Sequence, residues 1–517
     1  MSIRRMVWGA ALAVAAPFGP ALAQDVTLTS REGGLVVSGE LLGYDGTFLR
    51  LLTEHGEVSV DASGVTCDGA ACPDPERFVT YLSISGAASA GQALLPPLIE
   101  TFAARNGFDL AREERGAGLR YTMTGRGSRG VVAVFDLTLS TSAEGFADLL
   151  AGDADMNLSD REILPREAAL ARVAGLGDLT APGRSRIVAL DALVPVVAVG
   201  NPLKEISLTD LRDVVGGALQ DWSDLGGAEA PVALHLGPSG SGQDVTLFRQ
   251  LFGGDAPATI ATTRHETGAD LSAAVAEDPL ALGIVPFSAL GNAQVVALRG
   301  PCGIASEAEI RTLKSEDYPL TTPIFLYSPA RRLAPIAQSF LDYAVSPAAQ
   351  AVVRRTGFVD QFPESVPIAE QGDRFLGAIL SAGDGVSLDD LKDMVEAIAG
   401  RSRLSISFRF EDGSSRLDAQ SRSNVALLAQ AASRGVFDGR SLLFAGFSDA
   451  QGPASTNRRL AGRRAEAVRA AVVAAADLTG PLSPSFETAA FGEAMPMACD
   501  DAAWGRRVNR RVEVWLD

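Results

Sequence analysis

The sequence predicts a multidomain protein: a small N-terminal β-barrel, a long α/β region and a C-terminal α+β domain. At 517 residues the chain exceeds what one hydrophobic core can serve, and length alone points to three or four domains. Residues 24–77 alternate apolar and polar positions between glycine-containing turns, whereas strand and helix patterns alternate from about residue 79 onward. Charge divides the chain again: against a net −18, residues 401–517 carry 16 Arg and only 13 Asp plus Glu. A net charge of this sign argues against nucleic acid as a general partner.

Residues 1–23 read as a secretory signal peptide, with Arg4 and Arg5 ahead of an apolar run and "ALAQ" offering a cut after Ala23. Beyond it no uninterrupted apolar run reaches about 18 residues, so no membrane span is expected. An exported chain permits disulfides. Cys67 and Cys72 are close enough to close a small loop, and Cys302 and Cys499 can pair if their domains touch. With three histidines, none near a cysteine pair, no metal site is expected, and no cofactor.

In residues 24–77, "GLVVSGELLGYDGTFLRLLT" and "GEVSVDASGVTC" read as short strands and hairpins of a barrel without chemistry. Residues 78–365 repeat one scheme, strand then Ser/Gly-rich turn then helix, in "YLSISGAASAG", "VVAVFDLTLSTSAEGFADLL" and "VALHLGPSGSGQDVTLF". Such a scheme argues mainly parallel sheets, and its turns present free N–H groups and positive helix ends to an anion. Residues 366–400 hold two short helices in a connecting segment. Residues 401–517 open with the strand "LSISFRF" and end with the strand "NRRVEVWLD".

Several motifs are discounted on context. "GRGSRG" at residues 125–130 precedes a strand, where a dinucleotide site needs a helix. "GPSGSG" is no nucleophile elbow, and no histidine is placed as its base. Asp155 and Asp160 fall on opposite faces of a strand and make no working pair. No enzyme is expected.

The stretch "FSDAQGPASTNRRLAGRRAEAV", residues 447–468, is the most informative. Capped by Ser455 or Thr456, it predicts a helix to about Ala476 with Leu460, Ala461, Ala465, Val468 and Val472 on one arc. Asn457 and Arg464 fall inside that apolar arc, and a guanidinium there loses hydration and must be paired. Asp449, at the preceding strand end, either bridges Arg464 or joins it in a split pocket for a zwitterion: ammonium on Asp449, carboxylate on Arg464.

These residues, with the closing "NRRVEVW", resemble the OmpA-like peptidoglycan-binding domain over about residues 401–517. The resemblance implies that Asp449 and Arg464 hold the diaminopimelate of a peptide stem, that Asn457 is the helix asparagine, and that Asn509 and Arg510 belong to the partly structural closing motif. Ser448 departs from the usual threonine, and Ala461 and Gly462 stand where Ser and a polar residue are common.

The middle region resembles the phosphate-type periplasmic solute-binding proteins, through "ISGAAS", "GFADLLAGDADMNLSDREI", "SGSGQDVTLF", "LALGIVPF" and "SPAAQAVVRRTGFV" in order. That implies a two-lobed α/β periplasmic-binding-protein fold of type II. It also implies an anion site from Ser89, Ser142, Asp160, Ser241, Gly242 and Gln243, where Asp160 accepts the remaining proton of a hydrogen phosphate. The family arginine is replaced by Gly237 and its threonine by Gln243; Arg161, beside Asp160 on an extended segment, is expected to face away. The expectation is a non-enzymatic periplasmic protein, anchored non-covalently to peptidoglycan and binding phosphate or a related small oxyanion, with an inner-membrane ABC permease or another envelope protein as further partner. The competing expectation is an interaction protein of the envelope whose lobes contact a protein instead of a ligand.

Overall fold

The computed structural model describes residues 25–116, 118–127, 130–254, 261–383, 385–411, 414–480 and 483–517. The predicted signal segment lies outside them. Among the described residues no helix is long and apolar enough to cross a membrane.

The N-terminal strands form as their alternation dictates, and Val26, Leu28, Leu49, Leu51 and Val65 point into one small core. All pairings are antiparallel, in the spatial order Gly56–Asp61, Phe48–Thr53, Val36–Tyr44, Asp25–Ser30, Val65–Asp68. This is an open path. No pairing joins Gly56–Asp61 to Val65–Asp68 among the described residues, so closure into the expected barrel is not seen. The three-residue helical turn Ala62–Gly64 carries the last strand across to the first instead of back onto its neighbour. The Cys67–Cys72 disulfide pins the end of that strand.

The α/β region is built on one strand, Ser185–Val197, buried at every position from Ile187 on. Its first part pairs with Thr321–Tyr327 and its second with Ala281–Pro286, so one continuous element serves two lobes. The sheet is mixed, not mainly parallel as expected. Hairpins join Phe108–Arg115, Gly118–Gly125 and Val131–Ser140 antiparallel, and "GRGSRG" is the connection between the last two. Both partners of the shared strand also run against it.

The C-terminal sheet runs Ser365–Pro367, Ser402–Arg409, Arg511–Leu516, Ser441–Phe447, Ser485–Gly492. Leu404, Ile406 and Phe408 share a core with Leu428, Val468 and Val472 of the helices Ala419–Ser433 and Ala454–Ala475. The two helices of the connecting segment, Gly372–Leu380 and Leu388–Ile398, put Ala378, Met394 and Ile398 against the far side of that sheet, beside Phe447 and Trp515.

Period-two alternation sends Arg403 and Arg409 to the other face of their strand, where both are buried. There they meet Asp317 of the α/β region: Arg403 Nη1 donates to Oδ2 at 2.8 Å and Arg409 Nη2 to Oδ1 at 3.1 Å. Arg409 Nη1 also donates to the Ser315 carbonyl at 2.7 Å. Burial alone would raise the Asp317 carboxyl, but Arg403, Arg409 and Arg374 outweigh it and hold it well below the carboxylate range. A second covalent link, Cys302–Cys499, ties the same two regions. The C-terminal domain is thus docked against the α/β region, not loosely strung.

Candidate functional site

The strand Ser441–Phe447 delivers Ser448 and Asp449 to a turn that Gly452, at φ 93°, allows to reverse. The helix then starts at Ala454, with Pro453 as its cap residue; Ser455 and Thr456, expected as caps, lie in its first turn. Close approach shapes the contact: a Cβ on Gly446 would stand 2.2 Å from the Ala461 carbonyl oxygen. Ala461, Ala465, Val468 and Val472 are fully buried as predicted, and Asn457 with them.

Arg464 is half-buried with its guanidinium carbon 5.1 Å over the Phe410 ring. Among the described residues no protein group accepts a hydrogen bond from it. Burial lowers its proton affinity, the neighbouring Arg510 lowers it further, and Asp449 opposes both. Asp449 is paired elsewhere: its Oδ2 accepts from Arg510 Nη1 at 2.8 Å. The simple Asp449–Arg464 bridge is therefore not what the fold makes. Ser448 Oγ is buried without a partner, and Asn457, whose Nδ2 makes no hydrogen bond of normal geometry, faces Glu493 and opposes the rise that burial gives its carboxyl. Asn509 is structural, giving and taking four bonds with Met497, Ala498 and Asp500 at 2.7–3.1 Å. Ser448, Glu493 and Asp500 also line a cavity of about 430 Å³. The arrangement offers an unmatched guanidinium to a carboxylate, with carboxylates close by for an ammonium.

In the α/β region, Ser142 opens the helix Ser142–Ala151 and Ser89 sits in the helix Ala88–Ala93. Both converge on Asp160: Ser142 Oγ donates to Oδ1 at 2.5 Å and Ser89 Oγ to Oδ2 at 3.0 Å. Ser241 caps the helix Gly242–Phe252 by accepting from Asp244 N at 3.2 Å. Gly242 stands so close to Asp160 that a Cβ there would lie 1.8 Å from Oδ1 and 2.7 Å from Ser142 Oγ. Five of the six expected residues thus come together, and Gln243 follows half-buried in the first turn. The positive end of that helix is met by a protein carboxylate. Arg161 does face elsewhere, pairing with Glu167 through Nη1 at 2.8 Å and Nη2 at 2.6 Å.

Two further residues escaped the sequence reading. Asp191, buried in the shared strand, has its carboxyl pushed up to about 6 by burial, with Asp160 adding to the rise and Ser288 opposing it. A lone charge in "IVALDALVPVV" was its signal. Arg264 reaches the turn where the family arginine is missing, donating to the Gly237 carbonyl at 3.0 Å and to Asp244 Oδ1 at 2.6 Å. Nothing local in the sequence marks it, since only strand pairing brings it there.

Comparison with known proteins agrees with this division. The sequence pattern of the PBP superfamily domain matches residues 75–348, and that of the OmpA family matches residues 409–510. The phosphate-binding protein PstS of Bacillus subtilis is 28% identical over 172 residues, 32% of this chain and 55% of that protein, so the chain spans about half the length of this curated relative. Among solved structures, an ABC-type phosphate transport receptor from Vibrio cholerae is 14% identical, covering 54% of this chain and 99% of its own at a TM-score of 0.42. PstS from Borrelia burgdorferi is 15% identical, covering 54% and 98% at a TM-score of 0.38. With more than half of its length matched by one pattern, the chain belongs to the PBP superfamily and carries an OmpA-family domain downstream of it.

Proposed function

We propose that this is a periplasmic, cell-wall-associated binding protein, held non-covalently to peptidoglycan through Asp449, Asn457, Arg464 and Arg510. The observation that carries the reading is Arg464, desolvated against Phe410 with no protein acceptor among the described residues. A diaminopimelate carboxylate supplies the bidentate partner it lacks, and the stem's ammonium shares Asp449 with Arg510. The α/β lobes take a small oxyanion of the phosphate class at Ser89, Ser142, Asp160, Ser241, Gly242 and Gln243, with Arg264 serving in place of the absent arginine; an inner-membrane permease is the natural recipient. Export through the N-terminal signal segment brings the chain to the wall.

A second reading is favoured by one observation. The close approach of Gly242 to Asp160 fills the helix end with the protein's own carboxylate, which suits lobes that contact another envelope protein instead of a solute. The experiments separate the parts. Sedimentation with purified sacculi is expected to be lost in Asp449→Ala and in Arg464→Ala, with both variants folded; retained sedimentation in both refutes the pocket. A thermal upshift with inorganic phosphate, lost in Asp160→Ala, supports the solute role, and a flat response to a panel of small oxyanions supports the protein-contact role.

A further inference from the structure

A cavity of about 590 Å³ opens where the two lobes meet the C-terminal domain. Its walls come from four directions: Arg161 after the strand Met156–Ser159, Arg212 and Arg249 from the helices Leu208–Val215 and Gly242–Phe252, Thr322 from the shared sheet, and Trp504 with Arg507 from the helix Ala503–Asn509. None of these residues belongs to the Asp160 site or to the wall pocket. In a chain of net charge −18, four guanidinium groups line one cavity whose only lining carboxylate among the described residues is Glu162; Arg161 and Arg212 are also paired outward, with Glu167 and Asp213. Low-dielectric walls focus that field on whatever enters.

The lining also leaves bonds unmade. Arg161 is 4% exposed, and although Glu167 holds both its Nη atoms, its Nε is buried without a partner. Thr322 is 1% exposed, and its Oγ1 is likewise unpartnered. Folded proteins leave few such atoms, because each is costly when nothing fills the bond. The Arg249 side chain makes no hydrogen bond or salt bridge among the described residues, and its charge opposes the rise that burial gives the Glu162 carboxyl. The volume lies within the roughly 300–1,000 Å³ of small-molecule sites, and Trp504 with the flanking Leu208, Leu251 and Pro323 gives the cavity an apolar side.

We propose that this cavity is a second binding site, for an organic or condensed anion bearing carboxylate or phosphate groups, and that Trp504 and Arg507 make the C-terminal domain part of it. The inference does not rest on the wall-anchor reading or on the Asp160 site. It is tested on the full mature chain by titrating tryptophan fluorescence with citrate and, separately, with pyrophosphate; inorganic phosphate serves as the small-anion control. Saturable quenching by citrate alone, or by pyrophosphate alone, supports the site and assigns its carboxylate or phosphate source. The signal should vanish in Trp504→Phe. The double variant Arg212→Glu, Arg249→Glu should weaken binding at least tenfold with an unchanged circular dichroism spectrum, because both side chains are largely exposed. Asp160→Asn should leave the affinity unchanged. Failure of both probes to saturate overturns the proposal, as does wild-type affinity in the double variant, or loss of the signal in Asp160→Asn.

Discussion

Removing Asp317 tests whether the C-terminal domain is locked to the α/β lobes. Its carboxylate is 3% exposed and accepts from Arg403, Arg409 and, at 2.7 Å, Ser315 Oγ. In Asp317→Ala two buried guanidiniums lose their main counter-charge. Arg403 keeps Glu513, at 3.4 Å, and Ser407 Oγ at 3.0 Å, and Arg409 keeps the Ser315 carbonyl, since Glu316 at 3.9 Å holds its proton at neutral pH. Breaking a buried pair in this way costs about 3–5 kcal/mol. The same argument predicts an asymmetry: the triple variant Asp317→Leu, Arg403→Met, Arg409→Met, which removes all three charges, should recover most of that loss. The assay is urea unfolding of the three proteins followed by tryptophan fluorescence, with limited proteolysis to report undocking. The pH dependence has a definite sign. Because the folded carboxyl lies below its unfolded value of 3.8, its stabilisation is complete above that pH and disappears as pH falls through the folded value. An Asp317→Ala midpoint indistinguishable from wild type, or a triple variant less stable than the single one, refutes the reasoning.

Arg464→Met should split stability from binding: removing a desolvated cation repelled by Arg510 leaves the melting temperature equal or higher, while sacculus affinity falls about tenfold or more with the loss of a charge-assisted contact worth about 1.5–3 kcal/mol. Cys302→Ser with Cys499→Ser should lower unfolding free energy by up to about 5 kcal/mol, read as a urea midpoint shift, since the bridge closes a loop of separation 197. Glu316, which burial and Asp418 push up to about 8, holds its proton in the fold after the unfolded chain has released it near 4.5, so stability should fall as pH rises between those values. Glu316→Gln should flatten that fall, whose slope is at most about 1.4 kcal/mol per pH unit, in melting curves taken from pH 5 to 9.

What was legible in the sequence was whatever depends on period and on local chemistry. The arc Ala461, Ala465, Val468 and Val472 needed only a helical wheel, and Arg464 and Asn457 stood out because they violated it. Ser241 stood out because a Ser/Gly-rich turn before a helix start has a local signature, whereas Ser142 was singled out only through the resemblance to the solute-binding family, by its separation from Asp160. The reading failed where meaning is set by a distant strand. In "RLSISFR" the strand was legible but the surroundings of Arg403, Ser405, Ser407 and Arg409 were not: all four are buried, because the region carrying Asp317 covers them. The Asp449–Arg510 pair was missed for a related reason: Arg510 is 61 residues downstream and reaches Asp449 only because the terminal strand pairs with Ser441–Phe447. Barrel closure also lay beyond period-two logic, which assigns faces to strands but not neighbours.

The docking bears on what the proposed anchor would fix. A C-terminal domain on a flexible tether leaves the α/β lobes free to turn, whereas one joined through Asp317, Arg403, Arg409 and the Cys302–Cys499 bridge also fixes how they are turned. The shared strand Ser185–Val197 serves both lobes, and its partner Thr321–Tyr327 begins four residues after Asp317. The contact that seats the C-terminal domain therefore lies on the same stretch of chain that links the lobes. Asp160 follows Met156–Ser159, which pairs with Thr321–Tyr327, and Gly242 follows Ala233–Leu236, which pairs with Ala281–Pro286, so their close approach joins the two lobes across the shared strand.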